Sequence, residues 1–178
     1  MLEFTENLGP LPEVVCGERL SLDYESRTKA RRRVVTDSGR EAGLFLERGR
    51  TLAEGDVLRA TDGTLARVRC RPEPVRTARA CDALPAARAC FHLGNRHAAV
   101  QIGNLWVRFL PDPVLEDMVR GLGLELRSEE APFVPEGGAY GHVAAPHAHS
   151  HAHAAAPHDL TLSHASPHDH AHSRAEQG

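Results

Sequence analysis

Val100-Gln101-Ile102-Gly103-Asn104-Leu105-Trp106-Val107-Arg108-Phe109-Leu110-Pro111-Asp112-Pro113 is the stretch that decides the fold of the second half of the chain. Apolar runs over 98–102 and 105–110 flank Gly103-Asn104, a dipeptide suited to a two-residue turn, and predict a pair of antiparallel strands. The pattern breaks at Pro111-Asp112-Pro113, where Asp112 predicts a helix cap and Pro113 the first helical position. Val114, Leu115, Met118, Val119 and Leu122 follow at helical spacing, Gly121-Leu122-Gly123 stops the helix, and 124–127 predict a last strand. Upstream, Asp82 predicts the cap of a helix over 83–96, with Leu84, Ala87, Phe91 and Gly94 as its buried stripe and Gly94-Asn95 as its stop. A strand over 75–80 precedes it. The resulting order, β-α-β-β-α-β, predicts an α+β domain of ferredoxin-like type.

The first 72 residues have a different texture. Leu20-Ser21-Leu22-Asp23-Tyr24 alternates as a half-buried strand does. Arg33-Val34-Val35-Thr36 and Gly43-Leu44-Phe45-Leu46 are short apolar runs, and Leu65 to Cys70 predict the last strand of this part. Turn signals at Asp37-Ser38-Gly39, Gly49, Glu54-Gly55-Asp56 and Thr61-Asp62-Gly63 separate them, so a small all-β sandwich or barrel-like sheet is expected. Pro72-Glu73-Pro74 reads as a break between domains. From about Val143 the chain is mostly Ala, His, Pro and Ser, too poor in large apolar residues to offset the entropy of ordering. Three parts are therefore expected: an N-terminal sheet domain over 1–72, a ferredoxin-like domain over 73–142, and a disordered His-rich tail over 143–178.

Composition narrows the function. The formal net charge of -3 gives no argument for nucleic acid or an anionic membrane as partner. No apolar stretch approaches the length of a bilayer span, and the acidic first fifteen residues do not resemble a secretory signal. A cytoplasmic location is expected, with Cys16, Cys70, Cys81 and Cys90 as reduced, buried thiols. Arg31-Arg32-Arg33 reads as a solvated strand face that can also contact an acidic partner.

The histidines carry the chemistry. Of twelve, ten lie between His142 and His172, with His147, His149, His151 and His153 alternating with small residues. Neutral imidazole is a borderline-soft donor suited to nickel, copper and zinc, and a flexible segment rich in it wraps a cation in many equivalent ways. The rest of the chain holds only His92, within the first predicted helix and read as structural, and His97, just past the helix stop and expected to be accessible. One histidine is one ligand, whereas a tight site needs about four. A two-fold dimer with His97 near its axis would supply two, and the tail the remainder. No catalytic constellation emerges, so an enzyme is not expected.

The run Ala89-Cys90-Phe91-His92-Leu93-Gly94-Asn95-Arg96-His97 resembles the signature of the UreE family of urease accessory proteins. The resemblance continues through Val100-Gln101-Ile102, Pro111-Asp112, Val114-Leu115-Glu116-Asp117-Met118, Ala131-Pro132-Phe133 and Gly138-Ala139-Tyr140-Gly141. Gly39-Arg40-Glu41-Ala42-Gly43-Leu44-Phe45-Leu46 and Gly55-Asp56-Val57-Leu58 extend it into the first region. The resemblance implies a cytoplasmic homodimer that carries Ni(II) as cargo and, helped by the accessory GTPase UreG, delivers it to apo-urease. It implies an N-terminal sheet domain similar to a chaperone peptide-binding domain. It also implies that His97 of each subunit is the interfacial nickel ligand, with tail histidines completing the site. His142 and His147 are nearest in chain to the folded body, and His149, His151 and His153 follow. Some relatives carry further histidines where this chain has Leu110, Pro111, Asp112 and Pro113, so no accessory site is expected there. Zn(II) and Cu(II) are expected competitors, since imidazole does not single out nickel. The alternative is a divalent-metal buffer with no delivery partner, which needs only the tail.

Overall fold

Period-two alternation of apolar side chains organises the first half of the molecule. In the computed structural model, which describes residues 1–137, six strands form one sheet. They are β1 (Leu2–Pro10), β2 (Glu18–Leu22), β3 (Arg31–Val35), β4 (Glu41–Phe45), β5 (Asp56–Ala60) and β6 (Leu65–Cys70), in the order β2-β6-β5-β1-β4-β3. Phe4, Leu20, Leu44, Leu58 and Val68 point to a common interior and are fully buried. The ends of the sheet are drawn together: the amide of Asp37, after β3, donates to the carbonyl of Arg19 in β2 at 2.9 Å. The Asp37 carboxylate accepts in return from the Ser21 amide at 3.0 Å. The sheet is thus curled, as the turn spacing predicts. The strand expected over 20–24 stops at Leu22, because Asp23 instead caps a short helix, α1 (Tyr24–Thr28), accepting from the Ser26 amide at 2.8 Å.

The second sheet contains β7 (Pro72–Arg79), β8 (Gln101–Gly103), β9 (Trp106–Phe109) and β10 (Glu125–Pro132), with α2 (Ala83–Gly94) and α3 (Pro113–Gly121) as crossovers. Its order is β10-β7-β9-β8 with every neighbour antiparallel, the arrangement of a ferredoxin-like βαββαβ unit. Asp82 and Asp112 cap the two helices as expected, and Pro113 opens α3. Ala78, Ala89, Leu93, Val107, Phe109 and Val119 form the core between helices and sheet.

Three local expectations need correction. Pro72-Glu73-Pro74, read as the break between domains, forms the start of β7, the first strand of the second sheet, paired with β10 as far as Pro72↔Pro132. β9 pairs with β7 only from Arg76 onward, so both prolines lie where the strand has a single neighbour and no ladder donor is lost. β10 itself runs well past Arg127 for the same reason. The β8–β9 loop is Asn104-Leu105, one residue later than expected, since Gly103 pairs with Trp106. Leu105 takes the left-handed conformation (φ 57) that a glycine would adopt more cheaply. Gly103 is used otherwise: the Trp106 indole lies directly on it, where any Cβ would collide. Finally, the stripe expected to be buried on α2 is exposed. Leu84 and Phe91 are 59% and 63% exposed, and Ala89 and Leu93 face the core instead.

Beyond β10 a strap, residues 133–137, leaves the sheet. Phe133 is fully buried, meets the Tyr24 ring edge-on at 5.2 Å, and its carbonyl accepts from the Arg27 guanidinium. Arg27, itself buried, also donates to the Leu52 carbonyl at 3.0 Å, and the Tyr24 amide donates to Glu73 at 2.7 Å. Further along, the Val134 amide donates to the Gln101 side chain and the Glu136 amide to the Val100 carbonyl, at 3.1 and 2.8 Å. The expectation of a disordered tail falls outside the described residues.

Candidate metal centre

His97 owes its position to how α2 ends. The helix closes with the Ala98 amide on the Leu93 carbonyl (3.2 Å) and the His97 amide on the Gly94 carbonyl (2.9 Å). This pair of bonds is the Schellman motif, in which the residue just past the helix adopts a left-handed backbone and is ordinarily glycine. Here that residue is His97, at φ 54. The helix thus ends at Gly94 with Asn95 as its cap, as the Gly94-Asn95 signal predicts, and the closing turn runs on to His97. Ala98 and Leu93 share the core cluster, supplying the apolar contact that accompanies the motif. His97 is exposed, as its place after the helix predicts.

A left-handed backbone costs an ordinary L-residue roughly 1–2 kcal/mol. A strained, solvent-facing histidine at a position that glycine fills without strain is the most conspicuous candidate group in the described chain. It stands alone there: among the described residues no three His, Cys, Asp or Glu side chains gather in a way that could hold a metal ion. His92 is exposed on α2 with its ring edge-on to Phe91 at 5.2 Å. His142, His147, His149, His151 and His153 lie outside the described residues.

The thiols separate into three situations rather than one. Cys70 is buried and Cys90 half-buried, and burial raises both above the ordinary thiol value. Cys16 is half-buried and Cys81 exposed, which corrects the expectation that all four are interior. At the start of α3, the Asp112 carboxylate is occupied by the Val114 and Leu115 amides, at 2.8 and 3.1 Å.

Sequence reading missed the exposed stripe of α2. Its signal is present in Ala83-Leu84-Pro85-Ala86-Ala87-Arg88-Ala89-Cys90-Phe91-His92-Leu93-Gly94, which is apolar on two faces. A helix of that kind has more apolar surface than one sheet covers.

Residues 5–71 match the family described as UreE urease accessory protein, N-terminal domain, and residues 73–174 match its C-terminal domain. The chain belongs to the UreE family. Among curated relatives, the urease accessory protein UreE of Alkalilimnicola ehrlichii is 51% identical over 142 residues, covering 79% of this chain and 85% of that protein. The UreE of Azotobacter vinelandii is 54% identical over 123 residues, covering 68% and 74%. That of Pseudomonas putida (strain GB-1) is 49% identical over 150 residues, covering 84% and 90%. UreE proteins are accessory factors of urease maturation, not enzymes, and the layout of a mostly β N-terminal part followed by an α+β part fits the family. No helix among the described residues is long and apolar enough to cross a membrane.

Proposed function

We propose that this chain is a cytoplasmic nickel metallochaperone that delivers Ni(II) to apo-urease during assembly of the urease metallocentre. The observation that carries the reading is His97, an exposed imidazole on a strained backbone at the end of α2. A single imidazole cannot hold nickel tightly, and among the described residues no three potential ligands gather to make a metal site within one chain. Two-fold association resolves this, because an isologous contact repeats each residue. The exposed apolar stripe on α2 favours such a contact, since Leu84 and Phe91 lie on the helix whose end presents His97. Ni(II) then sits between two His97 side chains, with Zn(II) and Cu(II) as competitors for the same nitrogen donors.

Tail histidines complete the coordination. The Glu136 amide is bonded to the Val100 carbonyl, three residues beyond His97, which anchors the chain near the proposed site before the tail begins. From Gly137 to His142 is five residues, a span of at most about 17 Å when extended. His142 and His147 are the favoured partners of His97, and His149, His151, His153 and those beyond form a reservoir. In this reading 1–72 bind protein partners, 73–142 dimerise and hold the metal, and 143–178 store it. Transfer to the apo-urease accessory complex uses the GTPase UreG.

Calorimetric titration with Ni(II) tests the reading on the full chain, on His97→Ala, and on a full chain whose ten histidines from His142 to His172 are alanine. One tight ion per two chains is expected, lost in His97→Ala and weakened in the tail variant. Survival of the tightest site in His97→Ala sinks it. Activation of apo-urease by the loaded chain in the presence of UreG separates delivery from buffering, because a buffer only withholds the metal.

A further inference from the structure

We propose that the free edge of β3 is a strand-addition site for an acidic, extended segment of a partner protein. This deepens the partner-binding reading of the first sheet and is independent of the nickel site. β3 is the last strand of its sheet, hydrogen-bonded on one side to β4; just past its end the Asp37 amide, on the other side, bonds to the Arg19 carbonyl of β2, so the open edge is confined to residues 31–35. Two bonds that bracket this ladder, Thr36 amide to Arg40 carbonyl and Leu46 amide to Ala30 carbonyl, fix its phase. Even-numbered residues of β3 exchange hydrogen bonds with β4, so Arg31, Arg33 and Val35 turn their amides and carbonyls outward. Among the described residues these groups have no backbone partner.

The same three residues are exposed, and the surface beside them is apolar. Phe45, opposite Arg31, is 43% exposed, and its ring lies across Gly43, where an added Cβ would come within 2.6 Å of Cε2. Only glycine lets the ring lie in this way. At the other end Val35 and Met1 border a cleft of about 160 Å³ with Arg33 and Glu41. An incoming strand would thus find backbone donors and acceptors along the edge, while Phe45 and the cleft lie on the β4 side of β3.

Charge selects the occupant. Arg32, whose side chain turns the other way, is paired with Glu25 at 3.1 Å, whereas Arg31 and Arg33 have no ion pair among the described residues. Pairing with a second copy of β3 would bring arginine against arginine and is disfavoured, as charged edges generally are against self-addition. A strand with Asp or Glu at alternate positions instead meets both guanidiniums while pairing its backbone with β3. The run Arg31-Arg32-Arg33 is therefore divided in role: the middle residue serves the fold and the outer two face the partner.

The test uses the full chain with a chelator at pH 8. The probe is a fluorescein-labelled octapeptide of alternating Val and Glu, followed by anisotropy. Binding is expected, weakened by added salt and reduced about tenfold or more by the double substitution Arg31→Glu, Arg33→Glu. The same peptide N-methylated at alternate residues, which cannot extend a ladder, should not bind, nor should its Val/Lys counterpart. Nickel stoichiometry of the edge variants should equal that of the parent, so loss of the nickel reading through His97→Ala remains a separate result. No binding by the acidic peptide, equal binding by its N-methylated form, or indifference to the arginine substitutions overturns the proposal.

Discussion

His97 and Gly123 occupy the same position in two copies of one helix-ending motif. After α3 the Leu124 amide bonds to the Val119 carbonyl and the Gly123 amide to the Arg120 carbonyl, at 3.2 and 2.9 Å. These match the bonds that close α2, and Gly123 has φ 85 where His97 has φ 54. One copy uses the residue the backbone favours, and the other does not. Substituting His97→Gly should therefore raise the unfolding free energy by about 1 kcal/mol while removing the tightest nickel site. His97→Ala should lose the metal without that gain, because alanine keeps the strain. Equal stability of the two variants in urea titrations would show that the left-handed position carries no cost.

Phe91 offers a test of association that leaves the ligand in place. Phe91→Glu puts a charge in the exposed stripe of α2, where the side chain is 63% exposed and tolerates polarity in the monomer. Sedimentation should show a shift from dimer to monomer, and calorimetry the loss of the ion shared between chains. A dimer of unchanged strength would remove α2 from the contact.

Stability should depend on pH in two opposite senses. Hydrogen bonds from Thr77 and Arg108 hold the Glu129 carboxyl below the ordinary glutamate value of 4.5. Its stabilisation is present above that value and is lost as pH falls through the lower folded value. Burial pushes Glu73 the other way, against the hydrogen bond it accepts from the Tyr24 amide. Its contribution is complete below the ordinary value and fades as pH rises through the folded one. Melting curves of Glu129→Gln should show a shallower acid limb, and those of Glu73→Gln a flatter course above pH 4.5. A Glu129→Gln protein as acid-sensitive as its parent would contradict this.

Arg27 ties the first sheet to the strap. Arg27→Met leaves the Leu52 and Phe133 carbonyls without their donor and should cost about 2 kcal/mol. The loss falls short of two full charged hydrogen bonds, because the buried Nε of Arg27 has no partner and its desolvation is relieved. Hydrogen exchange at the Val134 and Glu136 amides should accelerate. Unaltered protection there would mean that the strap is held by Gln101 and Val100 alone.

The parts of the fold legible in the sequence are those governed by local chemistry. Asp82, Asp112 and Pro113 announce helix starts because capping involves only neighbours in the chain, and Leu65 to Cys70 announce a strand by alternation. What escaped depends on partners distant in sequence. Gly103 reads as a turn residue because nothing local shows that Trp106 needs its bare Cα. The two apolar faces of α2 read the wrong way round, since spacing alone does not distinguish Leu84 and Phe91 from Ala89 and Leu93. At the candidate centre, exposure of His97 was legible from its place after a helix. Its left-handed backbone was not, because glycine is the usual sign and the glycine here, Gly94, stands three residues early.

Trp106, the single tryptophan of the chain, rests on bare backbone at Gly103 with the Arg108 guanidinium 5.1 Å from its ring. Its fluorescence therefore observes the second sheet alone. Emission from this indole, set against a whole-chain signal such as far-ultraviolet circular dichroism, gives a label-free way to ask whether the two sheets melt together or in turn.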